Sequence, residues 1–133
     1  MQKEKAKQFS ADDVVTALLV FLPPEFSNNP EKIHRTINTL QHEERYKDLL
    51  DDFEFLDYPR FPYSPLLGRV FNRLQESRLL SSRNPGYVVY ETKEESLNAI
   101  EDYFLSEGKP LHEYRDKLGE IAERLRRELE NDE

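Results

Sequence analysis

Four helix-start signals punctuate this chain, and they limit it to a succession of short amphipathic helices. Ser10 with Asp13 has the form of a capping box in which Asp is a short stand-in for the usual Glu or Gln. Asn29-Pro30-Glu31 reads as an N-cap, a first-turn proline and an acid favoured by the helix dipole. Ser64-Pro65 repeats the cap-plus-proline signal, and Thr92 with Glu95 makes a full capping box. An apolar stripe at helical spacing follows each signal. The stripes are Val14, Val15, Leu18, Leu19 and Leu22; Ile33, Ile37 and Leu40; Leu66, Leu67, Val70, Phe71 and Leu74; and Leu97, Ile100 and Phe104. Pro23-Pro24 stops the first, and Gly108 ends the fourth.

Between the helices the pattern changes. A short helical stretch from about Glu43 to Leu50 either continues the second helix or breaks from it. Phe53 to Tyr63 is aromatic but interrupted by Pro59 and Pro62, which predicts a strand fragment and a loop whose Phe53, Phe55, Phe61 and Tyr63 fill the core. The third helix runs out near Arg78. Leu79 to Ser82 and Tyr87 to Tyr90 read as two strands, joined by a type II turn at Asn84-Pro85-Gly86. A final helix from about Pro110 shows Leu111, Tyr114, Leu118, Ile121 and Leu125 at alternating spacings of 3 and 4. The expected class is therefore mainly α (α+β), with a small β-hairpin and a long C-terminal helix.

At 133 residues the chain is the size of one domain. Eight Phe and seven Tyr supply a core despite 35% charged residues. The lysine-rich stretch 1–9 is expected to be disordered, 10–107 to form the domain, and 108–133 to add a helix for packing or dimerisation. The absence of cysteine excludes disulfides, thiolate catalysis and Cys-based zinc sites. No apolar run reaches the ~20 residues of a membrane span, and Met1–Lys7 lacks the apolar centre of a signal peptide. A cytoplasmic protein without membrane partners is the expectation.

Charge is unevenly distributed. Between Tyr58 and Tyr90 lie Arg60, Arg69, Arg73, Arg78 and Arg83, no lysine, and a single acid, Glu76. This window is net +4 in a chain of net −8, so the remainder carries −12. Such a reversal marks a candidate surface for an anion, above all a phosphate backbone. On the third helix Gly68, Arg69, Asn72, Arg73 and Glu76 share the face opposite the apolar stripe. Arg and Asn can bind guanine and adenine edges bidentately. Ser64 and the first helical N–H groups offer a phosphate site, and Arg83 sits at the hairpin tip. A bland alternative is that Arg73 pairs with Glu76 on a solvated face.

The segment Tyr63 to Tyr90, YSPLLGRVFNRLQESRLLSSRNPGYVVY, resembles the winged-helix family. The element order over about residues 10–92 is similar too: two helices, an aromatic link, a third helix, then a hairpin wing. About a dozen residues separate Leu50 from Ser64, where that family usually has a short turn. The resemblance implies that Arg69, Asn72 and Arg73 enter the major groove of double-stranded DNA and that Arg83 lies on the wing. It also implies a dimer formed through the last helix, using Leu111, Tyr114, Leu118, Ile121 and Leu125.

Other chemistry finds little support. His34 lies beside the isoleucine stripe and reads as a core-edge residue. His42-Glu43-Glu44 lacks the second His of a metalloprotease helix. The pairs Asp12-Asp13 and Asp51-Asp52 diverge on a helix rather than converging on a metal, and no glycine-rich phosphate loop or nucleophile elbow is present. No enzymatic activity, metal or cofactor is expected. The functional expectation is a dimeric DNA-binding transcriptional regulator. The alternative is a winged-helix-like module that binds a protein partner, as in a toxin–antitoxin or phage-defence system, without binding DNA.

Overall fold

The computed structural model describes residues 8–83 and 89–131. The lysine-rich start and the Asn84-Pro85-Gly86 turn lie outside the described residues. Helix α1 (Ala11–Phe21) begins on the expected capping box: the Ser10 hydroxyl accepts the Asp13 N–H at 3.2 Å, and the Asp13 carboxylate accepts the Ser10 N–H at 3.0 Å. Strand β1 (Glu25–Ser27) follows the double proline. Helix α2 (Pro30–Gln41) is capped by Asn29, whose side-chain oxygen accepts the Lys32 N–H at 3.2 Å.

A 3₁₀ turn (Glu44–Tyr46) and helix α3 (Lys47–Leu50) break from α2 rather than continuing it. The Gln41 amide fastens this corner by donating to the carbonyls of Leu50, at 2.8 Å, and Phe53. The dozen residues before Ser64 form a small antiparallel hairpin of β2 (Leu56–Asp57) and β3 (Pro62–Tyr63), with β3 packed on α2. Of the four aromatics expected to fill the core, Phe53 is buried, whereas Phe55, Phe61 and Tyr63 gather around His34.

Helix α4 (Pro65–Glu76) leads into β4 (Ser81–Arg83) and β5 (Val89–Glu91). The sheet has the order β1-β5-β4 and is antiparallel throughout, with Tyr90 opposite both Phe26 and Ser82. Strand β1 thus ties the hairpin to the α1–α2 connection. The apolar pattern does not announce this strand, because three residues with only Phe26 buried carry no readable period.

Two local expectations are corrected. Thr92 does not cap the next helix: it is buried, and its N–H donates to the Pro24 carbonyl at 2.9 Å, extending the tie between β5 and β1. Lys93 stands at the cap of α5 (Glu94–Ile100), with no side-chain cap bond. A π-helical turn (Glu101–Leu105) then shifts the helix face, so Leu105 is fully buried and Phe104 only partly so. Gly108 ends this segment at φ +92°, a left-handed conformation that suits glycine.

After a 3₁₀ turn (His112–Tyr114), α6 (Arg115–Glu130) lies across α1 and α2. Its stripe is the centre of the protomer's own core. Leu118 and Ile121 are 0% exposed, Leu111 2% and Leu125 4%, while Tyr114 packs edge-on against Phe9. This corrects the assignment of Leu111, Leu118, Ile121 and Leu125 to a dimer interface, since buried side chains offer no surface to a second copy; Tyr114 is only partly buried. The architecture is mainly α in the α+β class, with a small antiparallel sheet and a long C-terminal helix.

Candidate nucleic-acid interface

Helix α4 is anchored by Leu67, Val70 and Leu74, all buried, which turns Arg69, Asn72, Arg73 and Glu76 to solvent. Residues 69 and 73 are one turn apart, with Asn72 on the adjoining flank, so the three share an outer face. The side chains of Arg69 and Asn72 make no hydrogen bond or ion pair among the described residues. Arg73 is exposed but engaged: its Nε and Nη2 donate to the two carboxylate oxygens of Asp12 on α1, both at 2.7 Å. That hydrogen bond holds the Asp12 carboxyl below its ordinary pKa and raises that of Arg73. The expected pairing of Arg73 with Glu76 gives way to this bidentate contact between helices.

Ser64 is 0% exposed, which corrects its place in the site. Its hydroxyl accepts the Leu67 N–H at 3.1 Å, and its own N–H donates to Nδ1 of His34 at 3.0 Å. Both groups are used inside the protein, so neither can hold a phosphate. Arg83 closes β4 opposite Val89, which puts its backbone on the hairpin as expected; its side chain lies outside the described residues.

The exit from α4 adds a residue that sequence reasoning did not place in the site. Arg78 is exposed and has φ 69°, in the left-handed region. The Leu79 N–H bonds the Leu74 carbonyl at 3.1 Å, and the Arg78 N–H bonds the Gln75 carbonyl at 3.1 Å. This is a Schellman closure with arginine where glycine is usual, and it redirects the chain from α4 into β4. The sequence signal, a helix running out at Arg78, located the bend but not the strained conformation.

Charge pairing divides the arginines by location. All six outside the window, Arg35, Arg45, Arg115, Arg124, Arg126 and Arg127, pair with carboxylates. Inside it, Arg60, Arg69 and Arg78 are exposed and form no ion pair among the described residues. The positive field of the window is therefore less neutralised than that of the rest of the surface. No cluster of three or more His, Asp or Glu suited to a metal occurs among the described residues. No helix there is long and apolar enough to cross a membrane. Comparison of the chain with protein-family models, with curated proteins and with solved structures gives no match.

Proposed function

We propose that this chain is a DNA-binding regulator of winged-helix type, reading double-stranded DNA with α4 and touching its backbone with the β4–β5 hairpin. The carrying observation is the outer face of α4. Arg69 and Asn72, two side chains suited to base edges, stand exposed and unpaired where every arginine outside the window is paired with an acid. The element order supports the same reading: α1, α2 and α4 precede the hairpin, and β1 stitches that hairpin to the helices.

The test is a titration against genomic DNA fragments at two salt concentrations. Affinity is expected to fall as salt rises, because phosphate contacts release counterions. Arg69→Ala and Arg73→Ala are each expected to cost about 1–3 kcal/mol on a specific site. Absence of binding at low salt would overturn the reading.

A specific observation favours a second reading, a protein-interaction module of the kind found in toxin–antitoxin or phage-defence systems. Asp12 already occupies Arg73 with a bidentate carboxylate contact, the geometry by which an acidic partner would be held. On this reading the arginine face binds a carboxylate-bearing protein surface, and the DNA titration is flat at both salt concentrations.

A further inference from the structure

A cavity of about 350 Å³ opens between the start of α2, the middle of α4 and strand β5. That volume lies at the small end of the roughly 300–1,000 Å³ range of small-molecule sites. Its lining contains no Asp, Glu, Lys or Arg, although 35% of the chain is charged. His34, which lines it, is neutral: its pKa is pushed down by burial to about 4.

Aromatic rings supply the walls. Tyr63 stacks on His34 at 4.4 Å and 14°, and Phe71 stacks on Tyr90 at 5.5 Å and 4°. Gly68 lets the first pair stand where it does, since a Cβ there would run into the Tyr63 hydroxyl. Tyr63, Tyr90 and Asn72 line the same space, and their side-chain polar atoms make no hydrogen bond among the described residues and are open to solvent. Burial also raises the pKa of Tyr90, so it stays a neutral donor at ordinary pH.

We infer that this cavity binds a neutral, planar heteroaromatic molecule of nucleobase size. Such a molecule brings a flat apolar body to the Phe71–Tyr90 side of the cavity, since Tyr63 is already stacked against both His34 and Tyr58. Its edge carries both donors and acceptors, to match two hydroxyls and an amide. A charged ligand would meet no counter-charge in the lining and would lose hydration without compensation. Asn72 also belongs to the candidate reading face of α4, so occupancy would compete with base contacts.

The test contains no DNA, so its outcome is independent of the proposed function. Adenine, cytosine, thymine and adenosine are titrated into the full chain by protein-observed NMR, with adenosine monophosphate as the charged comparator. Saturable binding of at least one of the four is expected, with adenosine monophosphate binding more weakly than adenosine. Tyr90→Phe, which keeps the ring, and Asn72→Ala, on an exposed position, are each expected to weaken it about five-fold, the loss of one hydrogen bond. The inference is overturned by no saturable binding of any of the four, by binding that neither variant weakens, or by a monophosphate that binds as tightly as its nucleoside.

Discussion

Nδ1 of His34 accepts the Ser64 N–H, which makes the ring the Nε2–H tautomer and ties α2 to the first turn of α4. Protonation would turn that acceptor into a donor facing a donor, inside a pocket of aromatic rings. Burial accordingly pushes the His34 pKa down to about 4, against an ordinary value of 6.5. The unfolded chain therefore binds the extra proton at pH values where the folded one does not. The contribution of neutral His34 is complete above pH 6.5 and is lost as pH falls towards 4, with a slope of up to about 1.4 kcal/mol per pH unit. Urea denaturation of the wild type and His34→Gln across this range checks it; the difference between their stabilities is expected to carry the slope. At Arg73 the relevant charge lies on another helix. Asp12→Asn removes a carboxylate from the guanidinium and a negative charge from the candidate DNA face. On the DNA-binding reading it is expected to tighten binding several-fold, with a steeper salt dependence, in the same titration.

At the scale of elements, the helices were legible because their caps are local. Ser10, Asn29 and Ser64 each accept a backbone N–H three residues on, a contact written in a four-residue stretch of sequence. Thr92 has the same local form, yet a long-range bond to Pro24 takes its N–H, and no local pattern reports that competitor. The β1 strand and the π-helical shift from Phe104 to Leu105 escaped for the same reason, since both are decided by what packs on them. Arg69, Asn72 and Arg73 were readable as a face from helical spacing alone. Asp12, 61 residues from Arg73, was not readable as its partner. Nor was the conformation of Arg78. A left-handed arginine costs the fold about 1 kcal/mol relative to glycine, so Arg78→Gly is expected to raise stability by about that amount. If the arginine contacts phosphate on the bend between α4 and the hairpin, the same variant weakens DNA binding and lowers the salt slope by about 1. Opposite movement of stability and affinity, from thermal denaturation and titration together, is the expected signature.

For the whole molecule, the placement of α6 decides how stability and self-association relate. Its apolar stripe lies on α1 and α2, and its polar side is bound into ion pairs. Glu120 receives both Nε and Nη2 of Arg45, at 2.6 and 2.7 Å, and the Tyr46 hydroxyl at 2.8 Å. The helix is thus part of the protomer on two sides, and a homodimer, where formed, uses another face. This makes a discriminating experiment possible. Leu118 is fully buried, so Leu118→Ala leaves a cavity within the protomer and is expected to cost about 2–5 kcal/mol. Because the contact is intramolecular, that cost should be the same at two protein concentrations tenfold apart. Were the stripe shared between copies, stability would rise with concentration by mass action, and the damage would deepen on dilution. Urea denaturation of both proteins at both concentrations separates the two cases, and a concentration-independent loss would show that the C-terminal helix folds with its own chain.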